Sequence, residues 1–232
     1  MPTAQAMSRG RPTGTMEPFL ASTVGKKLVM AITGLVLFGF VIGHMIGNLT
    51  VYLGAEAINS YGLFLHTFLH GGAIWIFRAV MLVSVLLHVW AMGSLTVANR
   101  RARPVGYREW KARESTYASR TMRWSGVFLL AFIVFHLLHL TTGDAHPDFI
   151  PGDVYHNFIT GFQVLPVAMI YIVATLLLAL HLFHGSWSML QTLGLNHPRY
   201  NRLRNAVCTG LAALVVIGNL SFPVAVLTGL IH

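Results

Sequence analysis

Five long apolar runs dominate the chain, at roughly residues 27–53, 73–98, 122–142, 164–190 and 206–231. Each is about as long as the ~20 residues a helix needs to cross a hydrocarbon core, or longer. In lipid, every backbone polar group must be paired within the protein, which leaves only helices and closed barrels. Barrel strands alternate apolar and polar residues, and these runs do not alternate. Composition points the same way: charged residues make up 10% of the chain, against about 25% in soluble domains, and mean hydropathy is +0.64. So few charges do not cover the surface of a soluble fold of 232 residues. The expected fold is an all-α integral membrane protein with five transmembrane helices. Residues 1–21 read as a cytoplasmic tail: Met1–Pro18 is polar and unstructured, without the apolar core of a signal peptide, and the chain approaches the membrane surface at Phe19 and Leu20. Residues 22–232 read as a single membrane domain.

Charge orients these helices. Arg9, Arg11, Lys26 and Lys27 precede the first run, a basic stretch extends from Arg100 to Arg123 between the second and third, and Arg199, Arg202 and Arg204 precede the fifth. The other two connections contain no Lys or Arg and carry Glu56, Asp144, Asp148 and Asp153. The positive-inside rule then puts the N-terminus inside and the C-terminus outside. It also accounts for the net charge of +9 without any nucleic-acid-binding face. Arg78 lies inside the second run near its outer end. It reads either as a snorkelling side chain or as a partner for an anionic cofactor group. Cys208 is the only cysteine, so the chain alone builds no disulfide framework and no thiolate-ligated zinc or iron–sulfur site.

Histidine is the unusual component. The chain has 12, and His44, His88, His136, His139, His181 and His184 fall within apolar runs. Ionisable residues are costly in lipid and require a reason. An isolated one is most simply an interhelical hydrogen bond, but here four separate helices carry at least one. At ~1.5 Å per residue, His88 and His181 lie roughly 15–17 Å from the inner ends of their runs, with His136 about 20 Å and His44 about 25 Å in. That sorts them into an inner pair on helices two and four and an outer pair on helices one and three. Two imidazoles from two helices at one level is the ligation of a haem iron, and two such levels make a dihaem four-helix bundle. The absence of Cys-x-x-Cys-His makes the group haem b rather than haem c. Gly39, Gly43 and Gly47 repeat around His44, which suits either close helix packing or the bare surface a macrocycle needs. His181 is favoured over His184 because its row continues through the small residues Gly185, Ser188 and Thr192. Lys27, Arg120, Arg123 and Gln191 are the polar candidates for holding haem carboxylates at the inner side.

Several stretches resemble one family. They are Gly25-Lys26-Lys27 through Thr33-Gly34, Gly43-His44-Met45-Ile46-Gly47-Asn48-Leu49, Gly54-Ala55-Glu56-Ala57-Ile58-Asn59-Ser60-Tyr61, Leu87-His88, Phe135-His136-Leu137 and His181-x3-Gly185-x-Trp187 with Gly194 following. In order and spacing they resemble the single-chain, five-helix dihaem cytochrome b membrane anchor of the succinate dehydrogenase/fumarate reductase group, complex II. The resemblance runs from about residue 22 to the end. It implies a haem-binding bundle formed by the first four helices, with His44, His88, His136 and His181 as axial ligands of two haems b. It also implies a flavoprotein subunit and an iron–sulfur subunit as partners, a quinone as substrate with menaquinone suited to this architecture, and a bacterial cytoplasmic membrane as the location. A homo-oligomer of the whole complex is compatible with it. Some members place an acidic residue two positions before the fourth ligand, for transmembrane proton movement; Ala179 stands there, which argues against such a path. Where members can carry an acidic residue near the outer haem and quinone, the chain has His66, whose imidazole suits protonation of a reduced quinone at neutral pH.

On this reading electrons enter at the inner haem, cross to the outer haem and reduce quinone. Moving one charge through ~100 mV is worth about 2.3 kcal/mol, so crossing can help drive an uphill reduction. Two alternatives stand beside it. One is the cytochrome b anchor of a different membrane oxidoreductase. The other is a proton-conducting transporter, a class that tends to show repeats and broken helices.

Overall fold

The computed structural model describes residues 16–102 and 117–232, and the side chains of 19–102 and 121–232. The described residues form eight α-helices and short helical turns. Five stretches are long and apolar enough to cross a membrane: Thr23–Leu53, Ala55–Arg101, Thr121–Thr142, Leu165–Thr192 and Pro198–Leu227. The five expected spans are all present. The expectation of an unstructured tail through Pro18 does not hold at its last residues, because Met16–Ala21 is a short helix, α1. The Ser22 hydroxyl donates to the Phe19 carbonyl at 2.7 Å and accepts from the Gly25 amide at 2.9 Å. One side chain thus closes α1 and caps α2, Thr23–Asn48.

The connection after α2 is not a simple loop. A tight turn at Leu49–Leu53 ends at Gly54, whose φ of 99° suits glycine, and the chain then forms helix α3, Ala55–Thr67. Leu69, His70 and Gly71 follow with φ of 50°, 55° and 80°. This left-handed turn costs about 1–2 kcal/mol for each non-glycine residue, and it reverses the chain into α4, Gly72–Arg101. α5, Tyr117–Leu137, widens into a π-turn over Leu138–Thr142 before Gly143 ends it. The next connection also contains a helix, α6, Val154–Gln163, capped by Asp153. Pro166 sits in the first turn of α7, Leu165–Thr192, where a missing amide proton costs nothing. α8, Asn201–Leu227, holds Pro223 within it.

α2 packs against α4 and α7, α7 against α5, and α8 against both α7 and α2. Going round the bundle the order is therefore α4, α2, α7, α5, with α8 outside. α2 faces α5, and α4 faces α7, across the centre. The densest apolar core lies toward the end bearing the acidic connections. There Met45, Val51 and Ile58 meet Phe158, Ile159 and Phe162 of α6, Tyr171 of α7 and Phe222 of α8. A polar lattice closes this acidic end. Asn59 donates to Asp153 at 3.0 Å and accepts from the Tyr155 amide at 2.9 Å, while Asn157 bonds both the amide and the carbonyl of Ile150 at 2.8 Å. Large apolar residues on the outer helix faces, among them Leu82, Leu86, Trp124 and Ile217, are exposed, as a lipid-facing surface requires.

Candidate functional site: two histidine pairs across the bundle

Both expected histidine pairs come together. The rings of His44 on α2 and His136 on α5 lie 5.7 Å apart, edge to face. Those of His88 on α4 and His181 on α7 lie 6.3 Å apart. Each pair spans one diagonal of the bundle. Their levels follow from their neighbours. Thr33 touches His88, and His44 is eleven residues further along α2, about 16 Å at 1.5 Å per residue. Ser125 touches His181, and His136 is again eleven residues further along α5. The two helices thus give the same separation independently. His181, rather than His184, is the ring that faces His88 among the described residues.

The pairs differ in what holds them. Thr33 Oγ1 donates to the Val29 carbonyl at 2.8 Å. Its single proton being committed, it accepts from His88 Nδ1–H at 3.1 Å. Ser125 repeats the arrangement, donating to the Met122 carbonyl at 3.1 Å and accepting from His181 Nδ1 at 3.4 Å. In that arrangement both imidazoles carry their proton on Nδ1, and Nε2 has no hydrogen-bond partner among the described residues. Small residues let them fit: a Cβ on Gly34 would stand 3.4 Å from His88 Cε1, and one on Gly126 would stand 3.7 Å from His181 Cε1. Gly185, one turn beyond His181, has no protein atom within 4 Å of where its Cβ would be.

At the acidic end the Asn48 side-chain amide donates to His44 Nε2 at 3.2 Å, and Phe40 stacks on the same ring at 5.1 Å. His136 Nδ1 meets the Tyr171 hydroxyl at 3.1 Å, and His139 Nδ1 meets that same hydroxyl at 3.0 Å. His139 is fully buried and stacks on Phe135, with 9° between the ring planes. Next to it, His146 Nε2 donates to the Asn157 carbonyl at 2.8 Å, and its Nδ1 accepts from the Asp148 amide at 3.0 Å.

The glycine stripe on α2 divides. Gly39 and Gly43 have no protein atom near a would-be Cβ, whereas Gly47 receives the Tyr61 ring at 2.6 Å; Gly47 is a packing glycine. Arg78 lies 4.9 Å over the Trp75 ring of its own helix. His66 is exposed at the end of α3. Lys27, Arg123 and Gln191 are exposed at the basic end, and the side chain of Arg120 lies outside those described. Other cations lie there among the described residues. Lys26 and Arg101 line a cleft of about 410 Å³ between α2 and α4, together with Ser94, Val97 and Ala98. Arg204 is buried, 3.6 Å over the Trp187 ring, with Nη1 bonded to Asn196 at 2.8 Å and Nη2 to Asn201 at 3.0 Å. Sequence reasoning did not find Thr33, Ser125, Asn48 or Tyr171. A hydroxyl or amide in an apolar run is a weak signal until the partner across the bundle is known.

The donor set suits two haems b. Two metal–imidazole bonds of about 2 Å each plus the ring half-widths put paired rings about 6 Å apart, close to the spacing of both pairs. Nε2 is free on His88 and His181, and space is open beside His181. At the acidic end, ligation through His44 Nε2 requires the Asn48 amide to give up its bond.

Residues 99–218 match the family model of the succinate dehydrogenase/fumarate reductase transmembrane subunit. No curated protein and no solved structure matches the chain.

Proposed function

The chain belongs to the succinate dehydrogenase/fumarate reductase transmembrane subunit family, and on that premise we propose that it anchors the complex in the membrane and carries electrons between an iron–sulfur subunit and a membrane quinone. The match spans just over half of the chain and includes His136 and His181; the two ligands on α2 and α4 rest on geometry. His88 and His181 would hold one haem b at the basic end, and His44 and His136 the other at the acidic end. When bound, these groups supply one-electron transfer between two levels of the membrane about 16 Å apart.

The protein's own contribution is positional. Thr33 and Ser125 keep a proton on Nδ1 of their histidines, so that Nε2 stays available as a ligand. The apolar core at the acidic end and the lattice of Asn59, Asp153 and Asn157 exclude water from that end. The basic end faces the cytoplasm, by the positive-inside rule, and receives the flavoprotein and iron–sulfur subunits. Lys26 and Arg101 in their cleft take the place assigned above to Lys27 as partners for carboxylates. Quinone, menaquinone by preference, is reduced toward the acidic end. There His66 can hold a proton on its imidazole and deliver it to the quinone oxygen. The membrane in question is the bacterial cytoplasmic membrane.

The observation that carries this reading is the pair of histidine contacts on the two diagonals at levels about 16 Å apart. Its test is a pyridine haemochrome assay on the complex purified through this chain, with subunit composition determined in the same preparation. Two haems b per chain and co-purified flavoprotein and iron–sulfur subunits are expected. A colourless, stable complex would overturn the haem assignment. Haem accompanied by a different catalytic head would overturn the partner assignment.

A further inference from the structure

The Tyr171 hydroxyl stands between two Nδ1 atoms, those of His136 at 3.1 Å and His139 at 3.0 Å. It has one proton to donate. With that proton paired inside the cluster, one imidazole donates to the hydroxyl and the other accepts from it. The haem reading decides which. A ligand binds through an unprotonated nitrogen, so His136 keeps its proton on Nδ1 and donates it to Tyr171. Tyr171 must then donate to His139 Nδ1, and His139 must carry its own proton on Nε2. That atom is buried and has no hydrogen-bond partner among the described residues.

An unpartnered buried donor is costly, and the surroundings hold it in place. A Cβ on Gly161 would lie 2.7 Å from His139 Cε1 and 2.9 Å from Nε2, so α6 closes over this edge of the ring through a bare glycine. Phe135 stacks on one face of the ring at 5.5 Å. Tyr171 is in turn wedged edge-on between Phe132 at 5.0 Å and Phe162 at 4.8 Å. The π-turn at Leu138–Thr142 is where the helix departs from regular geometry, a feature frequent at functional sites. Nothing comparable supports His88 or His181, whose hydroxyl partners are tied to carbonyls of their own helices.

We infer that Tyr171 is a positioning residue for His136, and that His139 completes a three-membered relay that sets the donor strength of this ligand and of no other. The inference rests on the haem reading and deepens it. A Tyr171 oxygen that donates onward to His139 is a better acceptor for His136 Nδ1–H, because chained hydrogen bonds polarise one another. The better the acceptor on Nδ1, the more basic the ligand at Nε2, and a more basic ligand favours the oxidised iron. Removing the acceptor should therefore raise the midpoint potential of the acidic-end haem. Outer partners of metal ligands are worth about 10–100-fold in metal affinity. A tenfold change in the oxidised-over-reduced preference equals 59 mV for a one-electron couple.

The test compares Tyr171→Phe and His139→Phe with the wild-type complex, by redox titration followed through low-temperature EPR. Tyr171→Phe keeps the ring and its packing. It is expected to retain both haems, to raise one midpoint by about 59 mV with a change in that haem's g-values, and to leave the other haem unmoved. His139→Phe should move the same haem in the same direction, by less. Should Tyr171→Phe not assemble, the His139→Phe shift alone decides. Two haems in the wild type with neither midpoint moved by the variants, or a shift confined to the His88/His181 haem, overturns the inference while the haem reading stands. A wild-type complex without haem at the His44/His136 pair overturns that reading and the inference with it.

Discussion

The two histidine pairs are built from the same residue type on the same bundle, yet they are held differently. At the basic end, the partners of His88 and His181 are hydroxyls bonded to carbonyls one helical turn away, on Val29 and Met122. Helix geometry alone makes those hydroxyls acceptors, so the histidine tautomer is decided locally. At the acidic end, His136 leans on Tyr171, which is shared with His139, and His44 on Asn48. Tyr171 is bonded to a second side chain rather than to a fixed carbonyl, and its state depends on tertiary packing. The difference teaches that equivalent ligands need not be equivalently tuned: one pair meets hydroxyls already tied to helix carbonyls, whereas His136 meets a hydroxyl shared with a second histidine.

The strongest way to break the comparison is to delete one ligand from each pair. His181→Leu and His136→Leu should each lower haem content from two per chain to one, in a haemochrome assay, with the EPR signal of the untouched pair preserved. Loss of both haems in either variant would show that the pairs are one cooperative unit. Gly161→Ala probes only the acidic end. Its new methyl group meets His139 Cε1 at 2.7 Å, so overpacking should cost about 1–3 kcal/mol, visible as a lower melting temperature of the detergent-solubilised complex.

Thr33→Val sharpens the contrast from the other side. It removes the acceptor of His88 Nδ1–H and should loosen the basic-end haem about tenfold, measured by haem retention under competition with an apo-haemoprotein, while the His44/His136 haem is unaffected. The smallest effect is expected at Asp153. The backbone amide of His156, then the Asn59 side chain, hold its carboxyl below the ordinary value of 3.8. A depressed carboxyl contributes stability that is present above that value and lost as pH falls through the lowered one. Acidification below about pH 3.8 should therefore loosen the acidic-end lattice, and Asp153→Asn should flatten that dependence in a melting series across pH. An identical pH profile in the variant would remove Asp153 from the lattice's support.

Much of this molecule is legible from the chain alone, and the reason lies in the solvent. Lipid forces each long apolar run to pair its backbone within itself, so the number and approximate limits of the spans follow from hydropathy without any knowledge of neighbours. The cost of an imidazole in lipid singles out six histidines, and axial rise sorts four of them, His44, His88, His136 and His181, into two levels. The connections on the acidic side were less legible. α3 and α6 are short, and their apolar residues are buried by packing on other elements, which no local pattern reports. The partners of the histidines were not legible either. Thr33 and Ser125 are ordinary small residues within spans, Tyr171 is one aromatic among many, and the divided roles of Gly39, Gly43 and Gly47 appear only when Tyr61 lands on one of them. A sequence carries depth along a helix, because depth counts residues. Which helix faces which across the bundle, and therefore which hydroxyl meets which imidazole, is a property of rotation and packing that only the tertiary structure decides.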